Sequence, residues 1–407
     1  MKTPLYQKNI LLGVTGSIAA YKAADLASRL AQAGANVEAI LTQAAQQFIT
    51  PLTFQSVTAR RAWVDSDLWG SEGHVKHIGL GHGADLLVIA PASANTLAKL
   101  AHGLADNLLT VAALAATCPM IVAPAMDGGM YQHPATQANL ETLRQRGVIQ
   151  VGPASGHLAS GQVGLGRMVE PSELIGHIRW VLGQNGPLRN KKIVVTAGGT
   201  QEPIDLVRAI TNRSSGKQGY ALAQAALDLG AQVTLISGPT YLSPPIGVKR
   251  VEVSTAEEML KAVLNACETA DALLMAAAVA DFRPVEVISE KIKKDSGVPE
   301  IRLEKTPDIL AQATQLKTSQ GHPKVIVGFA AESQELIKNA REKLIAKNLD
   351  LIVANDISAK DSGFAVDTNR VSLLHREGNI EDLPLMGKDE VAWIILERVT
   401  ELLAGRS

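Results

Sequence analysis

Short polar segments follow several apolar runs of the sequence, and their residue types suit the binding of phosphate groups. The segment Thr15-Gly16-Ser17 lies between an apolar run and an alanine-rich segment. Gly16 leaves room for a close ligand, Ser17 adds a hydroxyl, and a following helix would offer unpaired backbone N–H groups. Thr42, after the next apolar run, adds a second hydroxyl. A tight turn without a ligand is the alternative, because glycine turns are common.

Two later loops and one histidine could serve the same ligand. The loops are residues 91–96 (PASANT) and 124–130 (PAMDGGM), and His77 lies in HIGLGHG. Histidine can act as a general base near neutral pH, although a surface or capping role is commoner. Met126 could instead only fill a gap in the core. The side chains that we assign to the site from these loops are Ser93, Asn95, Met126 and Asp127.

A glycine-rich segment, residues 152–168, follows these loops and contains His157 and Ser160. Many glycines without regular periodicity predict a mobile flap rather than a core element.

The second half carries backbone donors, hydroxyls and cations that suit a nucleotide or other phosphate. Residues 207–219 (VRAITNRSSGKQG) include Arg208 and Asn212. Residues 290–308 form a predicted loop with a basic cluster that includes Lys291 and Lys293. Such cations could neutralise charge that develops during phosphoryl or nucleotidyl transfer. A solvated basic loop is the alternative.

These residues need a scaffold, and the sequence indicates a βαβ unit in each half. The first unit is predicted as a strand at 8–14, a helix at 18–34 and a strand at 36–41. The second is predicted as a strand from Lys191, a helix at 221–229 and a strand at 232–238. Further buried strands are predicted at 86–90, 120–123, 272–280, 325–331 and 351–354. Ligands collect at the carboxyl ends of parallel strands, so the loops of the first half are expected to converge on one site.

The predicted fold class is therefore α/β, with two Rossmann-like domains and mostly parallel sheets. A polar segment with Gly and Pro at 183–190 indicates the boundary, which gives domains 1–185 and 186–407. Neither unit has the strict G-x-G-x-x-G pattern, and Thr42 and Ser237 stand where an NAD site favours an acidic residue. One terminal phosphate, as in FMN, fits better, while a nicotinamide dehydrogenase stays open on these residues.

The net charge and the cysteine count indicate which partners and which cellular compartment to expect. The chain has 407 residues, a formal net charge of −1 and two cysteines. Near-neutral charge gives no reason to expect nucleic acid or an acidic membrane, and few cysteines favour a reducing cytoplasm. The N-terminal apolar run lacks a clear signal cleavage site, and prolines and threonines interrupt the long apolar stretch 108–126. We predict a cytoplasmic protein without a transmembrane helix.

In their order, these motifs resemble one family: bacterial bifunctional coenzyme A biosynthesis enzymes that join phosphopantothenoylcysteine decarboxylase to phosphopantothenate–cysteine ligase. Essentially all residues are covered. The first-half motifs are GVTGSIAAYKA, HIGLGHGAD, PASANT, PAMDGGM and GLGRM. The second-half motifs are VTAGGTQEPIDLVRAITNRSSGKQG, AAAVADF, EKIKK, KTPDI, GFAAE and LDLIVANDI.

The resemblance implies that the second half activates the carboxylate of 4′-phosphopantothenate with CTP and Mg²⁺. The products are an acyl-cytidylate and pyrophosphate, and the amine of cysteine then displaces CMP. Lys291 matches the residue for activation, and Arg208, Asn212 and Ala277 match residues that handle the acyl intermediate. Asp281 and Phe329 match residues around the nucleotide, and Lys293 is assigned with them from the EKIKK motif.

The resemblance also implies that the first half binds FMN and oxidises the cysteine thiol to a thioaldehyde, so that the adjacent carboxylate can leave. His77 matches the catalytic base, and reduced flavin returns the hydride to give 4′-phosphopantetheine. FMN binding is assigned to Gly16, Ser17, Thr42, Ser93, Asn95 and Met126. The family's flavin domains form trimers or larger assemblies and its ligase domains form dimers, which together imply a homo-oligomer, up to a dodecamer.

Two residues depart from the family pattern, and both lie in the first half. Asp127 stands where the family has asparagine, and Ser160 stands where its flap has cysteine. An ionised aspartate repels a substrate carboxylate, and serine is a far weaker acid than cysteine. A compensated decarboxylase, with a neutral Asp127 or with His157 as proton donor, is our main hypothesis. The alternative is a ligase whose first half is only a flavin-binding oligomerisation module.

Overall fold

The computed structural model describes residues 3–69, 73–159, 161, 163–293, 299–332, 335–356 and 366–405. The chain divides into two compact units, Met1–Leu182 and Gly183–Ser407, and each has its own sheet and core. In the described ranges, no helix is long and apolar enough to cross a bilayer.

The first unit contains a six-stranded parallel sheet and a separate hairpin. Its strands are β1 Asn9–Val14, β2 Asn36–Leu41, β3 Ala62–Val64, β4 Leu86–Ala92, β5 Met120–Pro124, β6 Ile149–Gln150, β7 Ala154–His157 and β8 Val163–Arg167. Its helices are α1 Ala20–Gln32, α2 Pro51–Thr58, α3 Gly73–His82, α4 Ala94–His102, α5 Leu108–Ala115, α6 Gly128–Gln132, α7 Pro134–Gln145 and α8 Pro171–Gly183. The sheet order is β3-β2-β1-β4-β5-β6, which is the doubly wound order.

Apolar side chains on both faces of this sheet explain why its strands read as continuous apolar runs. Leu12 of β1 packs in one core together with Leu26 of α1. Leu11, the neighbour of Leu12, lies in a second core with Leu109 of α5. Strand side chains alternate between faces, so one short run supplies both layers.

The second unit repeats this scaffold. Its strands are β9 Lys192–Ala197, β10 Gln201–Pro203, β11 Ala209–Thr211, β12 Gln232–Ser237, β13 Lys249–Glu252, β14 Ala272–Met275, β15 Phe282–Pro284, β16 Leu303–Lys305, β17 Val325–Glu332, β18 Leu351–Asp356, β19 Thr368–Asn369, β20 Val371–His375, β21 Ile380–Asp382 and β22 Met386–Gly387. Its helices are α9 Lys217–Asp228, α10 Ala256–Cys267, α11 Ile309–Gln320, α12 Leu336–Ala346 and α13 Lys388–Ala404. The main sheet has the order β13-β12-β9-β14-β17-β18-β20-β21.

The first six strands of that sheet follow the same doubly wound order as the first unit, and they are parallel. The last two, β20 and β21, are antiparallel. This confirms the predicted α/β class with two Rossmann-like, mostly parallel sheets. Three two-stranded pairs, β10–β11, β15–β16 and β19–β22, lie outside the main sheet.

Two predicted elements of the second unit differ from the structure. The strand predicted at 272–280 ends at Met275. Beyond it, the N–H of Ala277 donates to Thr196 Oγ1 (3.0 Å) and the N–H of Ala280 donates to Thr200 Oγ1 (2.9 Å). These N–H groups therefore bond to threonine hydroxyls and not to the backbone of a neighbouring strand. The predicted loop 290–308 contains β16, which pairs with β15.

The glycine-rich segment 152–168 was predicted as an irregular flap, but it contains an antiparallel hairpin, β7 and β8. Gly156 stands opposite Gly164 in this hairpin. Glycines at these positions remove the alternation of polar and apolar side chains from which a strand is predicted. Ser160 and Gln162 lie outside the described residues.

Candidate active sites

The hydroxyl of Thr15 joins two of the predicted loops in the first unit. Thr15 Oγ1 donates to the carbonyl of Pro91 (2.7 Å) and accepts the N–H of Ser93 (2.9 Å). Thr15 is buried, so both bonds are shielded from water. The ends of β1 and β4 therefore meet where the doubly wound order changes direction, which is where such sheets bind ligands.

The turn after β1 offers donors for an anion. In the described part of the chain, the N–H groups of Gly16, Ser17 and Ile18 have no hydrogen-bond acceptor. They lie just before α1, which begins at Ala20. Three successive free donors at a helix N-terminus suit a phosphate group. Gly16 is also required for packing, since a Cβ there would lie 2.6 Å from the Cβ of Ala44.

The other predicted cofactor residues divide between structural and exposed roles. Thr42 is buried, and its hydroxyl accepts the N–H of Ala45 (3.3 Å). Ser93 caps α4 by accepting the N–H of Thr96 (3.4 Å), while Asn95 is exposed in the first turn of that helix. Ser93 and Asn95 are thereby presented at the carboxyl end of β4.

The loop after β5 contacts the hairpin. The N–H of Met126 donates to the carbonyl of Gly166 (3.0 Å). Gly166 has φ +151°, and a Cβ there would lie 2.2 Å from the carbonyl oxygen of Met126, so only glycine fits. Asp127 caps α6 by accepting the N–H of Gly129 (2.9 Å). The hairpin thus places its β8 end beside Met126 and Asp127.

A buried lysine that the sequence analysis missed connects α1 to the chain beyond the hairpin. Lys22 Nζ donates to the carbonyl of Met168 (2.8 Å) and to Glu170 Oε1 (2.8 Å). Its hydrogen bond lowers the pKa of the Glu170 carboxyl, to which Arg167 also donates. The signal in the sequence was a lysine within the apolar stripe of an alanine-rich helix.

The proposed base of the first unit is only partly located. His77 lies within α3, and its side chain is outside the described part of the structure. Ser160 is also outside it. The predicted meeting of His77, Asp127 and Ser160 therefore stays a prediction.

In the second unit, a cavity of about 940 Å³ lies at the carboxyl ends of the central strands. The loop after β14, the start of α9 and residues 305–310 border it. Thr196, near the end of β9, makes a bond similar to that of Thr15, because its Oγ1 accepts the N–H of Ala277 (3.0 Å) from the loop after the neighbouring strand β14. Both units therefore hold their strand-end loops through a buried threonine.

Four of the predicted ligase residues meet at this cavity, namely Asn212, Ala277, Asp281 and Phe329. Asn212 Nδ2 donates to the carbonyls of Ala278 (3.4 Å) and Val279 (3.0 Å), so it supports the loop after β14 as well as bordering the cavity. Its amide therefore fixes the backbone that carries Ala277 and Asp281.

Three of the predicted ligase residues are absent from the described lining of the cavity: Arg208, Lys291 and Lys293. All three are exposed. Among the described residues, this cavity therefore does not bring Arg208, Lys291 and Lys293 to the other four.

The cavity is strongly cationic. The basic side chains that border it are Arg213, Lys217, Lys305, Lys343, Lys347 and Lys388, against the acidic Asp281 and Asp308. Lys343 Nζ donates to the carbonyl of Phe329 (2.9 Å), and Lys347 pairs with Asp308. Burial, together with nearby Lys217, lowers the pKa of the Lys388 ammonium. Six basic groups around one cavity favour a polyanionic ligand.

The sequence analysis missed Lys343 and Lys347. The available signal was their spacing of four residues, which places both on one side of a helix. In the described ranges, no group of three or more His, Cys, Asp or Glu side chains is arranged to hold a metal ion.

Comparison with known proteins assigns each half of the chain to a protein family. The flavoprotein family matches residues 1–183, and the family described as DNA/pantothenate metabolism flavoprotein C-terminal domain matches residues 188–403. The chain is 44% identical over 401 residues to the coenzyme A biosynthesis bifunctional protein CoaBC of Bacillus subtilis, which covers 98% of each chain. The chain belongs to this family.

Two further bifunctional CoaBC proteins are similar to this chain over nearly its full length. The protein of Vibrio cholerae is 45% identical and covers 97% of this chain and 98% of its own. The protein of Escherichia coli K12 is 43% identical and covers 96% of both chains. The predicted family is thus confirmed, and matches across both halves support a bifunctional decarboxylase and ligase over the ligase-only alternative. The nicotinamide dehydrogenase alternative was wrong.

Proposed function

We propose that the two halves catalyse consecutive steps of coenzyme A biosynthesis. The C-terminal half ligates 4′-phosphopantothenate to cysteine at the expense of CTP. The N-terminal half, with FMN, then decarboxylates 4′-phosphopantothenoylcysteine to 4′-phosphopantetheine. The cation-lined cavity of the second unit is the observation that supports the ligase step, because both substrates of the activation reaction are polyanions.

In the ligase step, Lys343 and Lys347 bind the triphosphate, and Asp281 and Phe329 contact the rest of the nucleotide. The substrate carboxylate attacks the α-phosphorus, so an acyl-phosphate bond forms and pyrophosphate leaves. The family resemblance assigns to Lys291, with Lys293 beside it, the stabilisation of the charge that develops on the phosphoryl oxygens, although neither lysine lies in the described lining of the cavity. Asn212 and Ala277, which border the cavity, hold the acyl-cytidylate while the amine of cysteine displaces CMP, and Arg208 is assigned to this step by the family resemblance alone.

Mg²⁺ is a proposed partner of the nucleotide. It usually binds through phosphates, several waters and only one or two carboxylates. Asp281 supplies one carboxylate at the cavity, which fits such a site. The ion would neutralise phosphate charge when it is bound.

In the decarboxylase step, the free N–H groups around Gly16 and Ser17 bind the FMN phosphate, with the hydroxyl of Thr42 nearby. Ser93, Asn95 and Met126 complete the cofactor pocket. FMN supplies two-electron redox chemistry when it is bound. His77 accepts the substrate thiol proton, Asp127 faces the substrate carboxylate, and Ser160 stands in the sequence where the flap of the family carries its cysteine.

The remaining features of the proposal concern organisation. We assign the decarboxylase to residues 1–185 and the ligase to residues 186–407, in a cytoplasmic homo-oligomer. A closed dodecamer follows if threefold contacts of the first domain combine with twofold contacts of the second.

One coupled assay tests both steps. Flavin-loaded protein receives 4′-phosphopantothenate, cysteine, CTP and Mg²⁺ without oxygen, and CMP, pyrophosphate, CO₂ and both thiol products are measured. We expect 4′-phosphopantetheine and CO₂. The variant His77→Asn should stop at 4′-phosphopantothenoylcysteine, whereas His102→Asn, at an exposed histidine of α4, should not. Absence of CMP contradicts the ligase assignment, and absence of CO₂ contradicts the decarboxylase assignment.

A further inference from the structure

The buried carboxylate of Asp205 connects two segments that the sequence analysis treated separately. Its Oδ1 accepts the N–H groups of Val207 (2.7 Å) and Arg208 (2.8 Å). Its Oδ2 accepts Arg208 Nη1 (2.6 Å) and the N–H of Ile292 (3.1 Å). Ile292 lies between Lys291 and Lys293, so one carboxylate holds the loop before β11 and the basic segment together.

Further bonds strengthen this connection. Both terminal nitrogens of Arg208 donate to the carbonyl of Ile292 (3.4 Å each). The N–H of Ile288 donates to the carbonyl of Ile204 (3.0 Å). The peptide at 292 is thus bound on both its N–H and its C=O side, while the Asp205 side chain is fully buried.

We propose that Asp205 is a positioning residue for the nucleotidyl-transfer step. It fixes the peptide at Ile292, so that Lys291 and Lys293 are presented from one rigid segment together with Arg208. This role rests on the proposed function of Lys291.

The chemistry of the contacts requires an acceptor with a negative charge. An ionised carboxylate has two acceptor oxygens and can satisfy all four donors. Asparagine has one acceptor oxygen and one NH₂ donor, and that donor would face either the Ile292 N–H and the Arg208 guanidinium or, after a flip of the amide, the N–H groups of Val207 and Arg208. The variant Asp205→Asn therefore keeps the shape of the side chain but loses two of the four accepted hydrogen bonds in either orientation, which weakens the connection between the two segments.

The experiment is a double-mutant cycle on the full chain with Asp205→Asn, Lys291→Gln and the double variant. Initial rates of CTP-dependent pyrophosphate release give kcat and the KM for CTP. We expect Asp205→Asn to lower kcat at least tenfold and to change KM less than threefold, because the cavity residues that bind CTP are untouched. The double variant should be no more than threefold slower than Lys291→Gln alone, since interacting residues are non-additive.

A matched control separates positioning from general stability. Asp271 also accepts a backbone N–H, from Lys192 (2.9 Å), and pairs with Lys324 (3.1 Å), but it stands at the amino end of β14. Asp271→Asn should keep kcat within twofold. If Asp205→Asn does not fold, Ile292→Pro removes the N–H that Asp205 accepts and also fixes the backbone next to Lys291, and it should give the same selective loss of kcat.

The outcomes distinguish this role from the proposed function. An inactive wild-type protein contradicts the proposed function and this role with it. An active wild type in which Asp205→Asn keeps its kcat contradicts only the positioning role. The positioning role is also contradicted if the kcat losses of the two single variants multiply fully in the double variant. It is contradicted as well if Asp205→Asn changes mainly the KM for CTP.

Discussion

Lys343 and Lys347 lie one helical turn apart at the end of α12, and both border the cavity of the second unit. Lys343 contacts the β17 backbone at Phe329, and Lys347 pairs with Asp308 before α11. Cations are favoured at a helix C-terminus because of the helix dipole. The polyanion site is therefore formed by a helix end as much as by the strand-end loops.

Loss of one of these cations should weaken nucleotide binding. Removal of a charged hydrogen bond costs about 1.5–3 kcal/mol, of which part is offset by the pair with Asp308. We expect Lys347→Gln to raise the KM for CTP roughly tenfold, with a smaller effect on kcat. Steady-state kinetics of CMP release measure this. Lys338→Gln, at an exposed lysine of the same helix that pairs with Glu335, is the control and should leave the KM for CTP unchanged. An unchanged KM in Lys347→Gln contradicts the assigned site.

An ionised Asp127 should limit the decarboxylase, whereas a neutral Asp127 should not. Asparagine can accept the same N–H of Gly129, so Asp127→Asn keeps the cap of α6 while removing a negative charge. Repulsion between two carboxylates about 4 Å apart is roughly 1 kcal/mol in water and more in a drier site. We expect kcat/KM for CO₂ release to rise about five- to tenfold.

The control for that variant is Asp127→Ala, which loses both charge and cap and should destabilise the first unit by about 0.5–2 kcal/mol. Slower CO₂ release by Asp127→Asn would instead mean that this chain uses the aspartate as a neutral proton donor.

Lys22 should stabilise the first unit more than an exposed lysine does. Lys22→Met leaves the carbonyl of Met168 without its donor, and an unsatisfied buried group costs about 1–3 kcal/mol. Urea unfolding, followed by hydrogen exchange in α1, measures the change. The control Lys8→Met removes a more exposed pair with Asp85 and should cost less than about 1 kcal/mol. Equal losses in the two variants would show that Lys22 is not a special anchor.

The hydrogen bonds by which Asp205 holds Arg208 and Ile292 should weaken only in strong acid. Burial alone would raise the pKa of its carboxyl, but the N–H groups of Val207, Ile292 and Arg208 and the Arg208 guanidinium lower it to about 2. The ionised form therefore favours folding above the ordinary value of 3.8, and this contribution is lost as the pH falls to about 2. The difference in urea midpoint between wild type and Asp205→Asn should be constant from pH 7 to about 5 and should shrink below about 4. A constant difference down to pH 2 contradicts this pKa.

The scaffold was predictable because both faces of each sheet are buried, which produces short apolar runs that are easy to recognise. The strand predicted at 272–280 was too long because small apolar residues suit a ligand loop as well as a strand. The hairpin was missed because glycines hide its alternation. Both failures occur beside the candidate sites, where ligand contacts outweigh regular structure.

Other site features depend on contacts that no local pattern reveals. Asp205 and Ile292 are 87 positions apart in the sequence, so their bond becomes visible only in the fold. Lys343 and Lys347 have the spacing of an ordinary solvated helix face. The family motifs pointed to Asn212, but its contacts with the loop after β14 required the structure.

The hydroxyls of Thr15 and Thr196 hold two strand-end loops through the backbone of those loops and not through their side chains. In each unit, one hydroxyl anchors the loop after the neighbouring strand through a backbone N–H, so the side chains of that loop are free to vary. Substitutions among those side chains should therefore change which ligand each unit binds more than they change the stability of its sheet.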